Sequence, residues 1–432
     1  MTLPILEHEA SPRRSRSPMA DHHYSARVWA TAALLSVLLP AEARMGWWLP
    51  LHLLLVGAAT QLIVGGHIMF SATLGVSRGP DRPVLLGQLA LLNAGAAGII
   101  GGRLFDLTIL LGLGATALVA AIISAALITQ ELWRSALNRR FASVRVFYGL
   151  ASISLLLGAG IGAAMAIGAF DGASSYAAHK LAHLALNLWG WAGMTILGTM
   201  MTLLPTVLHV RAPRASVVRA PWVFFVGLLT LAGGLTTDAR VLALFGMLLI
   251  GAGIAPVTGY LREVLGTPRR RRFPGAGLQL VAAFGWLLVV ATSQFVLVAA
   301  DGTSQLRDLW VVGLGLGVVG QAVLGAWAFL LPAARPGTPE LRRRELFVFE
   351  AGARTQAIGY NLGLLLMLAE LLDVVPGAGP IGLAMVWPSS AWALVKCWAF
   401  RSMASRPGLA EAARDFWLPT DGRGVDSQEV LG

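Results

Sequence analysis

Two apolar stretches carry the side chains best suited to chemistry. In the first, Tyr176 to Arg211, His179, His183 and Asn187 recur at i, i+4 and i+8. A helix puts all three on one face. In the second, Leu51 to Phe70, stand His52 and His67. Lipid cannot hydrogen-bond a polar stripe, so such a stripe turns inward in a membrane helix. Neutral imidazoles facing each other from separate helices are the donors that hold haem iron or copper. The same spacing also fits interfacial histidines that bond water or headgroups. His209, beside Arg211 and Arg214, fits a headgroup contact, and His8, His22 and His23 fall in the N-terminal region.

The elements that must position these side chains are membrane helices. Of the 432 residues, 56% are hydrophobic and only 13% charged. Apolar runs of about 20 residues recur along the whole chain, as a polytopic membrane protein requires. The fold class expected is all-α, one bundle of twelve spans. They lie near 26–45, 47–73, 83–102, 107–129, 145–169, 178–208, 220–237, 241–260, 275–300, 308–332, 346–373 and 379–401. Residues 1–25 read as a cytoplasmic tail without a cleavable leader, and 402–432 as a second one, in which Leu409 to Leu418 has an amphipathic pattern.

Charge fixes the orientation. With the N-terminus inside, 26 of the 33 basic residues fall in inner segments and 5 in outer ones. The alternation places both termini in the cytoplasm of a cell that carries the protein in its inner or plasma membrane. The net charge of +11 is therefore a topological signal, and nucleic acid is not an expected partner. The one cysteine, Cys397, excludes an intrachain disulfide and a cysteine metal cluster. No phosphate-binding loop, nucleotide fingerprint or Ser/His/Asp signature is present.

Other polar side chains inside spans are Gln61, Asn93, Gln294, Gln321, Glu350, Arg354 and Glu370. Glu350 and Arg354, four apart, are expected to neutralise each other near the cytoplasmic boundary. Lys396 is expected to snorkel to the inner face. LGTMMTLLP at 197–205 matches LGAWAFLLP at 324–332 in Leu, Gly and Leu-Leu-Pro, 127 residues apart. With His52 on span two, this points to a threefold repeat of four-helix units whose second members are spans two, six and ten.

LHLLLVGAATQLIVGGHIMF (51–70), AHLALNLWGWAGMTILGTMMTLLPTVLHVR (182–211) and GQAVLGAWAFLLP (320–332) resemble bacterial membrane proteins related to haem–copper oxidase subunit I and to NnrS-type haem- and copper-containing proteins. That resemblance implies twelve helices in three four-helix arcs, with the second, sixth and tenth helices lining the pores. It implies His52 as the second-helix haem ligand and His183 as the sixth-helix metal histidine; His179, on the same helix face as His183, is a further metal candidate from its spacing. The pattern departs in places. Ala185 stands where relatives carry a second span-six histidine, and Trp310 takes the repeat position of His183. No histidine follows His209, so the seventh- and tenth-helix ligands of an oxygen-reducing oxidase are absent, and whether the chain is an enzyme stays open.

Three readings follow. The first is a haem- or copper-binding protein acting in redox chemistry, nitric-oxide response or copper handling. The second is a cofactor-free transporter or channel using Gln61, Asn187, Gln321 and Arg354. The third is an accessory subunit that keeps the fold. A second copy or a redox partner fits any of them, and the lipid bilayer is the shared surrounding.

Overall fold

The structure is a computed structural model. It describes residues 19–170, 172–214, 217–268, 273–300, 303–334, 337–406, 408–409 and 413. His8, the arginines of the first eighteen residues and most of Leu409 to Leu418 lie outside the described residues.

Thirteen helices follow one another among the described residues. They are α1 Met19–Ser36, α2 Trp48–Gly75, α3 Arg82–Leu104, α4 Thr108–Arg134, α5 Ala142–Ala166, α6 Ala173–Leu208 and α7 Ala220–Thr236. After these come α8 Arg240–Gly266, α9 Gly275–Ala299, α10 Gln305–Ala333, α11 Pro339–Glu350, α12 Ala353–Leu371 and α13 Ala378–Ala404. Nine of them, α2 to α6, α8 to α10 and α13, are long and apolar enough to cross a membrane. α7 is a shorter apolar helix. The all-helical class and a bilayer surrounding are therefore in place, because every backbone polar group in lipid must be satisfied within its own helix.

Contacts between helices follow one pattern three times. α1 packs on α2, α5 on α6 and α9 on α10, while α3 with α4, α7 with α8 and α12 with α13 form the most extensive hairpins. α4 touches α5, α8 touches α9, and α13 returns to α1, so the contacts close into a ring. Glycines set the hairpin spacing, because only a missing side chain lets two backbones approach this far. A Cβ on Gly98 would lie 2.6 Å from the Gly114 Cα, one on Gly227 would lie 2.7 Å from the Ile250 nitrogen, and one on Gly363 would lie 2.6 Å from the Gly382 oxygen.

The three helices expected to line the interior share a further feature. Each winds into a π-helical stretch, at Leu53–Ala59 in α2, Ala185–Gly193 in α6 and Trp310–Gly320 in α10. Such stretches are rare and free main-chain carbonyls from the regular ladder. Side chains take up the freed groups. Thr60 donates to the Leu55 carbonyl at 2.8 Å, and the Tyr360 hydroxyl donates to the Leu316 carbonyl at 3.1 Å. Pro205 in α6 likewise leaves the Met201 carbonyl without its helical donor, and the Tyr260 hydroxyl supplies one at 2.8 Å.

Four expectations are corrected. α1 begins at Met19, inside the stretch read as tail, and ends before Pro40, because His22, His23 and Arg27 are buried against other helices. The expected span 346–373 is broken. α11 ends at Glu350, Gly352 takes a left-handed φ of +71°, and α12 starts at Ala353. Glu350 and Arg354 are thus on different helices, although the Arg354 charge still acts on Glu350; Arg354 is exposed, and Glu350 accepts from the Gly275 amide at 2.7 Å. Lys396 does not snorkel. It is buried, and its ammonium donates to the Phe349 and Ala351 carbonyls at 3.3 and 2.5 Å, closing the C-terminus of α11.

Candidate functional site

The site is built at one end of α2 and α6, just before each turns π-helical. His52 ends the first regular turns of α2, and its Nδ1 lies 2.8 Å from the Trp48 carbonyl. His183 occupies the matching place on α6, and its Nδ1 lies 2.8 Å from the Gly158 carbonyl of α5. A carbonyl only accepts, so each imidazole carries its proton on Nδ1 and keeps the Nε2 lone pair. Both are half-buried.

Small residues make room for the His183 ring. A Cβ at Gly162 would come 2.8 Å from its Cε1. Asn187, one turn further on, donates to the His183 carbonyl at 2.7 Å and packs on Gly158. The i, i+4, i+8 stripe is therefore real as far as His183 and Asn187 go, and both face α5. His179 turns to Phe170, stacked at 3.6 Å between centroids, with Nδ1 2.8 Å from the Ser175 carbonyl. His52 is itself stacked on Trp48 at 4.1 Å. His209 caps α6 in a left-handed conformation and is exposed.

Haem and copper make different demands on these residues. A metal-bound histidine usually gives its other ring N–H to a carbonyl or carboxylate, and both imidazoles here give Nδ1–H to a main-chain carbonyl. Among the described residues no group of three or more His, Cys, Asp or Glu comes together that could hold a metal ion. A three-histidine copper site is therefore not formed among the described residues.

Deeper in the bundle lies a polar cluster that only partly emerges from sequence. His67 is buried, with Nε2 3.0 Å from the Thr195 hydroxyl, and is stacked on Tyr148 at 4.0 Å. Tyr148 meets Thr199 at 2.9 Å, and the Trp191 indole donates to Thr60 at 3.1 Å. His22 and Gln61 meet at 3.0 Å on the α1–α2 seam. On the other side of the molecule Gln321 and Asn361 exchange amide hydrogen bonds of 3.1 and 2.9 Å, and Trp286 also donates to Asn361. His67 and Gln321 stood out as polar residues in apolar runs. Their partners Thr195, Tyr148 and Asn361 did not, because the pairing runs between helices and periodicity along one helix carries no trace of it.

Two cavities lie near this frame. One, of about 450 Å³, is bounded by α1, α2, α10, α12 and α13; the other, of about 80 Å³, is lined by residues of α1, α2, α6, α9 and α10. Neither wall contains His52, His179 or His183. No protein-family model matches the chain, and no curated protein is significantly similar to it.

Proposed function

We propose that the chain is a multi-pass membrane protein of three four-helix arcs, twelve spans in all, that holds haem or copper between His52 and His183. The arcs are the α1–α4, α5–α8 and α9–α13 sets, with both termini on the cytoplasmic side of an inner or plasma membrane. The observation that carries the metal reading is the pair of imidazoles before the π-turns of α2 and α6, each with Nδ1–H given to a main-chain carbonyl. That bond fixes tautomer and ring orientation and leaves Nε2 as the donor atom.

When bound, such a group supplies one-electron exchange and a position for a small gas or for copper in transit. The chain's own residues do the rest. Gly158 holds the His183 proton, Gly162 gives its ring space, and Trp48 backs the His52 ring. Trp310 takes the repeat position of a third histidine and gives its indole hydrogen to Gln294 at 3.0 Å, so the oxygen-reducing ligand set is not rebuilt there. The outputs that fit this donor set are redox relay, nitric-oxide response and copper handling.

The test is metal and haem analysis of protein purified from replete cells, alongside His52→Ala and His183→Ala. The proposal expects about one equivalent of haem or copper, lost in both variants. A second reading, a cofactor-free transporter or channel, is favoured by one observation: the larger cavity has no histidine in its wall. Metal-free, well-folded protein that moves solute across vesicles is the result that selects it.

A further inference from the structure

The loops that follow α4 and α6 are clasped together and rich in arginine. After α4 come Ser135 to Phe141, and after α6 come His209 to Arg219; together they hold Arg139, Arg140, Arg211, Arg214 and Arg219 and no acidic residue. The Arg140 guanidinium spans the two loops, donating to the Ala212 carbonyl at 2.6 Å and to the Pro213 carbonyl at 3.5 Å. The Leu137 and Asn138 amides both donate to the Gly75 carbonyl at the end of α2, at 2.9 and 3.2 Å. The Asn138 side chain accepts from the Arg140 amide at 3.0 Å. The arginines are therefore presented by a loop pair already held in place, which lowers the ordering cost of binding.

Their charge is uncompensated. All five side chains are exposed, and none forms an ion pair among the described residues. Arginines elsewhere are answered: Arg78 by Asp81 at 3.9 Å, Arg134 by Glu131 at 3.7 Å, and Arg401 by Glu345 at 3.2 Å. An excess of arginine on one side orients a membrane protein, but it works from scattered loops as well as from joined ones. It does not require like charges to be clasped together without a carboxylate. Such charges repel, and a bound anion relieves the repulsion.

The surroundings say what carries the anion. α4 and α6 are both long and apolar enough to cross a membrane, so loops that follow them directly lie at the headgroup layer. Leu137 stands beside these arginines 84% exposed, and Trp222, in the first turn of α7, is 53% exposed. Arginine interleaved with exposed leucine and tryptophan is the composition of a surface that meets headgroups and acyl chains together. We infer that this clasp binds the phosphate headgroup of an anionic phospholipid. The inference needs a bilayer surrounding; it does not depend on the histidines or on which side of the membrane the loops face.

The test uses the full chain in an uncharged mild detergent, with dioctanoyl phosphatidylglycerol, dioctanoyl phosphatidylcholine and inorganic phosphate as probes. Native mass spectrometry counts the lipids bound. Phosphatidylglycerol binds saturably and more tightly than phosphatidylcholine, and phosphate at the same concentration does not displace it. Arg140→Gln, Arg211→Gln and Arg214→Gln each weaken phosphatidylglycerol about fivefold and leave phosphatidylcholine unchanged. Arg82→Gln and Arg342→Gln remove exposed arginines from α3 and α11 and leave both lipids unchanged. Equal affinity for the two lipids overturns the inference, and so does displacement by phosphate alone, which marks a site for the free anion. A loss in Arg82→Gln and Arg342→Gln as large as in the clasp variants also overturns it, because net charge then explains the binding. So does phosphatidylglycerol binding that Arg211→Gln and Arg214→Gln retain in full, whether or not Arg140→Gln folds.

Discussion

The His183 imidazole and the Trp310 indole are held alike: each gives its ring N–H to the preceding helix, His183 to the Gly158 carbonyl at 2.8 Å and Trp310 to Gln294 at 3.0 Å. They stand 127 residues apart, at the same place in the repeat. One position carries an imidazole and the other an indole, and each satisfies an acceptor on its neighbouring helix. Replacing Trp310 with Phe strands the buried Gln294 side chain. It should destabilise the protein by about 1–3 kcal/mol, read as a lower thermal midpoint in detergent, with cofactor content unchanged. A midpoint equal to the parent's contradicts the pairing.

Gly162 tests how His183 is aimed. A methyl group there meets the imidazole Cε1 at 2.8 Å and has to displace the ring. Gly162→Ala should weaken metal retention by about 10- to 100-fold, the range seen when the support of a ligand is lost. Retention by dialysis against a chelator measures it. Unchanged retention means that the ring is not held where His183 serves as a ligand.

Gln321 and Asn361 exchange two amide hydrogen bonds between α10 and α12. Gln321→Leu and Asn361→Leu should each cost about 1–3 kcal/mol, since each leaves its partner unpaired. The double variant should cost less than the sum, with a coupling of about 0.5–2 kcal/mol in a double-mutant cycle. Strict additivity sinks the claim that the two amides act as a pair.

Lys396 closes the carbonyl end of α11 and lies near Glu350. Lys396→Met removes both services and should lower the thermal midpoint. Adding Glu350→Gln should recover part of the loss, because the carboxylate then has no missing counter-charge. A further drop in the double variant argues that Glu350 is held by the Gly275 amide alone.

Orientation is open to labelling. With Cys397 replaced by Ser, a cysteine at Ser135 should react with an impermeant thiol reagent only after cells are opened. One at Thr237 should react in intact cells. Both positions are exposed and lie at opposite ends of the bundle by the charge count. The reverse pattern inverts the topology.

Much of the fold was legible, because lipid leaves few options. Apolar run length located most of the helices, and the Leu-Leu-Pro echo linked α6 to α10, a correspondence that the π-turns of α2, α6 and α10 extend. The break at Gly352 was missed because Glu350 and Arg354 carry the i, i+4 spacing of a helix whether or not one continues through them. His22 and His23 were read as tail because their burial comes from α2 and α13, far away in sequence. Within the site, the i, i+4 spacing of His179 and His183 was correct and incomplete. It says that both share a helix face, and only the approach of Gly158 and Phe170 decides where each ring turns.

The central claim rests on His52 and His183 as a pair of donors. The most direct test is a visible spectrum with metal analysis on protein purified in mild detergent from haem- and copper-replete cells. A Soret band or about one equivalent of copper, lost in His52→Ala and in His183→Ala and kept in His179→Ala, is the predicted result. Colourless, metal-free protein that remains folded, or a cofactor that survives both substitutions, contradicts it.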